Sequence, residues 1–229
     1  MTDIQLLEEV TAALAKEADA IPEQSRIQFQ FARFQIKNIR NLAEGFLILE
    51  RESRVEVAGC LARPVVEAFL NLKASIADSS FAASKCVADI GEAIKLDQVR
   101  RDKCPIPEVQ ARLQATIDAN LKIRDNLMKH HQVPKARRWN AKEIAEVADL
   151  VPFYDTTYST FHPAIHAGLD GHSIESTPTY VSLVVYHLTV IVIDTFTLAL
   201  QQFAPERFSA YADELKGWMK RFEANSTMP

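Results

Sequence analysis

The chain has 229 residues, of which 48% are hydrophobic, 24% charged and only 6 glycine, with a formal net charge of −4. That is ample material for one sizeable core, and the acidic balance excludes a globally basic nucleic-acid binder while leaving room for a local basic patch. Cys60, Cys86 and Cys104 are odd in number and show no CxxC spacing, so neither a disulfide framework nor a cysteine zinc site is expected. Residues Met1 to Glu9 are acidic and amphipathic, unlike the basic and then apolar start of a signal peptide, and a cytoplasmic protein is the expectation.

Residues 3–20 carry Ile4, Leu7, Val10, Leu14 and Ala18 at a helical period, with Thr2 or Asp3 as cap. Pro22 breaks that run. A long helix is predicted over about 23–50, with Ile27, Phe31, Phe34, Ile36, Ile39, Leu42, Phe46 and Leu49 on its buried side. Residues 51–54 make a turn, and a third helix over about 55–77 contains Pro64. Proline removes a backbone hydrogen bond and clashes with the preceding turn, so a kink or a restart is predicted there. A fourth helix covers about 79–103, stopped by Pro105 and Pro107, and a fifth runs from Glu108 to about His131, ended by Pro134. After the basic loop Lys135 to Arg138, Asn140 and Glu143 form a capping-box pattern that starts a short helix to Leu150.

Pro152 opens the next helix, which Gly168 closes, and residues 169–177 form one polar loop before Pro178 restarts the chain. Val181 to Leu200 is almost long and apolar enough to cross a bilayer. It holds His187, Asp194 and three threonines, however, and a charge at mid-membrane costs roughly 2.5–3.5 kcal/mol. It is therefore predicted as the central buried helix of a bundle, with no membrane partner. Pro205 begins a final amphipathic helix, and residues 225–229 fray. The fold class is all-α: a single helical bundle of eight or nine helices, one domain over 1–229, around a central apolar helix.

Two polar stripes recur every four residues, the spacing that stacks side chains along one helix face. Tyr154, Tyr158, His162 and His166 form one; Arg63, Glu67 and Asn71 form the other, among Leu61, Val65, Val66, Phe69, Leu70 and Leu72. Buried Arg and Glu need partners, which each stripe can supply to the other. An Arg–Glu pair beside a histidine can fix its tautomer, or the arginine can stabilise an anion. The alternative is a structural network that holds two helices in register. His162 and His166 also have zinc-ligand spacing, with Asp155, His172 or Glu67 available to complete a shell. Without an HExxH pattern, and with Pro163 between the two histidines, no metal is expected. No Gly-rich phosphate loop, nucleophile elbow or dinucleotide fingerprint is present, so no cofactor and no nucleotide-driven chemistry are expected.

The Arg63-x3-Glu67 helix, followed by Tyr154-x3-Tyr158 and a helix-end His166, resembles a bacterial all-helical family of unknown function over about residues 40–200. That family carries a serine where this chain has His162, so a serine role does not transfer and a paired-histidine role becomes available. A second motif, Arg124 with Asp125 and then His130 and His131, is similar to the signature of HEPN domains. Those are helical bundles, many of them metal-independent ribonucleases that act as dimers. The resemblance implies RNA as partner, a homodimer, His131 as base and Arg124 as stabiliser of the phosphorane charge, with Lys135, Arg137 and Arg138 attracting phosphate. The same chemistry could be assembled from Arg63, Glu67, Tyr158 and His166, with Asn71, Tyr154 and His162 binding substrate.

Overall fold

The computed structural model describes residues 4–158 and 178–226. Helix follows helix: α1 (Ile4–Ala20), α2 (Ile27–Arg51), α3 (Val55–Ala77), α4 (Phe81–Lys103), α5 (Pro107–His130), α6 (Ala141–Val147) and the single turn α7 (Val151–Phe153), which passes directly into a π-helical turn, Tyr154–Tyr158. After the undescribed stretch come α8 (Pro178–Phe203), α9 (Pro205–Phe208), a 3-10 turn (Ser209–Tyr211) and α10 (Ala212–Ser226). No strand occurs among the described residues, and the architecture is an all-α bundle.

The body consists of α1, α2, α3 and α8, which pack on one another, with α6 lying on α3 and α9 and α10 closing over α8 and α1. Helix α8 is the central apolar helix. Leu188, Ile191, Val192, Phe196 and Leu200 are fully buried within it, each contributing roughly 1.5–3 kcal/mol of apolar burial. The segment Val181–Phe203 has the length and hydropathy of a span, and 67% of its most apolar window is buried inside the bundle. Its apolarity is thus used against α1, α2 and α3. Edge-to-face contacts of Phe196 with Tyr211 and Trp218 pin the C-terminal elements onto it.

Helix α3 runs unbroken through Pro64, so the predicted restart does not occur. Phe34 is also corrected, being 63% exposed. At 3.6 residues per turn it falls opposite the stripe of Phe31, Gln35, Ile36, Ile39, Ala43 and Phe46 that faces the core. The predicted capping box is present at α6: the Asn140 side chain accepts from the Glu143 amide, and Glu143 accepts from the Asn140 amide, both at 2.9 Å.

Three helices end on a non-glycine residue in the left-handed region: Ser53, Gln132 and Asp149. In each case the next amide donates five residues back, as with Leu150 to the Ala145 carbonyl at 2.8 Å, the closure of a Schellman cap. The cap at Gln132 decides where the basic residues after α5 lie, because it turns the chain back. Val133 is then buried with Ala83 and Val87 of α4. Helices α4 and α5 form a hairpin whose outer part packs mainly on itself.

Candidate functional site

One turn of α3 places Arg63 and Glu67 side by side, and Arg63 Nε donates to Glu67 Oε1 at 2.9 Å. The third member arrives from 91 residues away. Tyr158, at the end of the π turn, donates its hydroxyl to the same Glu67 Oε1 at 3.2 Å. Its ring lies under the Arg63 guanidinium, 4.8 Å from centroid to Cζ, a cation–π contact. Tyr154 stacks on Tyr158 with centroids 4.8 Å apart and planes inclined by 26°. The predicted four-residue stacking of the two tyrosines is therefore present, but on a π turn rather than an α-helix. Such turns are frequent at functional positions.

The turn is anchored on both sides. Phe153 meets Phe69 of α3 edge to face at 5.6 Å. Thr157 is fully buried, with its hydroxyl 3.3 Å from His187 Nδ1 on α8. The seam is not sealed, since the Arg63 and Glu67 side chains retain 22% and 44% of their exposure. Burial disfavours the Arg63 charge, but the Glu67 hydrogen bond and the neighbouring Tyr158 and Glu67 together hold its pKa above the usual arginine value. Burial first, then the Glu67 charge, pushes the Tyr158 phenol up, against the opposing pull of Arg63. Both shifts favour a guanidinium at Arg63 and a neutral phenol at Tyr158.

Asn71 continues the stripe, and its Oδ1 is buried without a hydrogen-bond partner among the described residues. The structure thus joins Arg63, Glu67, Tyr158 and Tyr154 and leaves Asn71 outside their hydrogen bonds. His162, His166 and His172 lie outside the described residues. On α8, Asp194 pairs with Lys73 of α3 at 2.9 Å. Burial lowers the pKa of His187. Lys73 and Thr157 are not among the residues that the sequence singles out. Lys73 has a visible signal, a lone cation in the apolar second half of α3; Thr157 has none.

The second candidate set is elsewhere. Arg124 pairs with its neighbour Asp125 at 2.9 Å and opens onto a cavity of about 530 Å³ shared with Arg137 and Arg138. None of the residues lining that cavity belongs to α3 or to the π turn. His131, just beyond the end of α5, and Lys135 are exposed and do not line it. Of the HEPN-like motif, Arg124 lines this cavity and His131 does not.

Among the described residues no group of three or more His, Cys, Asp or Glu side chains is placed to hold a metal ion. Cys86 is half-buried, and burial, reinforced by Asp89, pushes its thiol up to about 11, so it is a poor ligand and a poor nucleophile. The chain matches no family model, no curated protein and no solved structure.

Proposed function

We propose that the chain is an RNA-processing factor of the HEPN-like kind, a metal-independent ribonuclease of the toxin type, with the Arg63–Glu67–Tyr158 seam as its active site. The observation that supports this is the state of Arg63. It is fixed on one side by Glu67 and on the other by the Tyr158 face, yet its side chain remains 22% exposed. A guanidinium held in place at the surface is ready to stabilise charge that develops on a phosphate. In this reading His166 is the base that removes the 2′-hydroxyl proton, and the 2′-oxygen then attacks phosphorus. Arg63 stabilises the phosphorane, and the bond to the 5′-oxygen breaks, leaving a 2′,3′-cyclic phosphate and a 5′-hydroxyl whose proton comes from water. Glu67 and Tyr158 are positioning residues that fix the guanidinium plane.

A second reading is favoured by the separation of the basic cleft from the seam. RNA held at the seam would gain nothing directly from Arg124, Arg137 and Arg138. A non-catalytic interaction or ligand-sensing module, with the seam as a structural network, accounts for that separation.

Cleavage of a mixed RNA pool in the presence of EDTA separates the two readings, comparing wild type with Arg63→Ala, His166→Ala and His131→Ala. The catalytic reading expects cutting that Arg63→Ala and His166→Ala abolish while His131→Ala retains it. A folded wild type that cuts nothing, with Arg63→Ala merely less stable, would leave the structural network as the account. Loss of cutting in His131→Ala alone would move the active site to the end of α5.

A further inference from the structure

The cleft between α4, α5 and the segment after α5 has a charge balance that the seam does not use. Lys95, Arg124, Arg137 and Arg138 line it with the carboxylate Glu92. Lys95 pairs with Glu92 at 2.8 Å, Arg124 with Asp125 at 2.9 Å and Arg137 with Glu143 at 3.7 Å. Four cations thus meet three carboxylates, a surplus of one positive charge on a chain whose formal net charge is −4. The four cations gather in one concavity, where their surplus charge favours an anion.

The cations are also held differently from ordinary surface arginines. The Arg137 guanidinium lies 3.6 Å from the centroid of the Trp139 ring, which fixes its plane. Arg124 is steadied by Asp125. The floor of the cleft includes Gly91, in the middle of α4, where an added Cβ would meet nothing within 4 Å. A mid-helix glycine destabilises by roughly 0.5–1 kcal/mol relative to alanine, and here it leaves the helix surface bare within the cleft that the three arginines line.

We propose that this cleft is a binding site for a small phosphorylated ligand, with Arg124 and Arg138 on the phosphate, Arg137 beside them as a stacked donor, and Gly91 opening the floor. Guanidinia bind phosphate through paired N–H donors, so the site needs no Gly-rich loop. The cavity volume of about 530 Å³ is in the range that takes a ligand of nucleotide size. The proposal is independent of the seam and of any cleavage there.

The test is calorimetric titration of the full chain with inorganic pyrophosphate at low ionic strength. Saturable binding is expected, weakened roughly tenfold or more by Arg124→Gln combined with Arg138→Gln. Gly91→Leu keeps every charge but fills the floor, and is expected to weaken binding comparably. Arg63→Ala is expected to bind as wild type does. An absence of saturable heat in wild type would overturn the site. So would Gly91→Leu binding as wild type, which would indicate screened surface charge. A 5′-hydroxyl RNA competing as well as pyrophosphate would also overturn it, in favour of an unspecific polyanion surface.

Discussion

Arg63 lies across the face of Tyr158 while the hydroxyl of that same tyrosine donates to Glu67, the residue one turn on that also accepts from Arg63. Each of the three groups therefore holds the other two, and the tyrosine contributes in two separable ways. Tyr158→Phe keeps the ring under the guanidinium and removes only the hydroxyl. A neutral donor on a part-exposed carboxylate contributes about 1 kcal/mol, so urea unfolding is expected to show a loss of roughly that size. Tyr158→Ala also strips the ring from Arg63 and from Tyr154, and is expected to lose about 2 kcal/mol or more. The raised phenol pKa adds a pH signature. The folded chain holds this proton more tightly than the unfolded one, so the contribution is present below about pH 10 and is lost as pH rises through the folded value. Tyr158→Phe should flatten that alkaline decline; equal declines in the two proteins would show that the phenol is not coupled to folding.

His187 works in the opposite direction. It is half-buried on α8 beside Thr157, and burial lowers its pKa. Between the folded and unfolded values the unfolded chain binds more protons, so stability falls as pH drops below about 6.5. His187→Gln is expected to show a shallower loss of stability from pH 7 to pH 5 than wild type, measured by urea midpoints. The same substitution also tests the anchoring of the π turn, since a loosened turn would alter the tyrosine near-ultraviolet circular dichroism at neutral pH. An acid limb as steep as that of wild type would mean that the imidazole is already solvated.

The seam is half legible in the sequence because half of it is local. Arg63 with Glu67, and Tyr154 with Tyr158, are four residues apart, and that separation alone makes neighbours on a helix. The bond between Tyr158 and Glu67 spans 91 residues and depends on how α7 and the π turn dock on α3, which no spacing encodes. Periodicity also cannot separate an α turn from a π turn, since both bring residues four apart to neighbouring positions. The basic cluster shows a different limit. Arg124, His131, Lys135, Arg137 and Arg138 share one neighbourhood of the sequence. The left-handed Gln132 and the docking of Val133 on α4 turn the chain so that Arg137 and Arg138 join Arg124 and Lys95 in lining one cavity, which His131 and Lys135 do not line. Phe34 departs from its expected place for a simpler reason: in a 25-residue helix a hydrophobic residue can sit on the solvent face at little energetic penalty.

Glu17, near the end of α1, is a carboxylate at only 3% exposure. Its Oε1 accepts from Arg207 Nη2 at 2.7 Å and from the Tyr211 hydroxyl at 2.8 Å. These bonds tie α1 to α9 and the 3-10 turn, across 190 and 194 residues of sequence. Breaking such a pair from one side leaves the other charge without its partner, and the two sides are not equivalent. Arg207 keeps 37% of its side-chain exposure and can turn to water when Glu17 is lost. Glu17 cannot, so Arg207→Ala leaves a buried carboxylate with Tyr211 as its remaining donor. The expectation is that Arg207→Ala destabilises by about 3 kcal/mol and Glu17→Ala by less, with Glu17→Gln between wild type and Arg207→Ala. Urea unfolding of the three variants measures this directly. Equal losses for Arg207→Ala and Glu17→Ala would mean that the carboxylate is solvated when its partner leaves, and that α9 is held to α1 by packing alone.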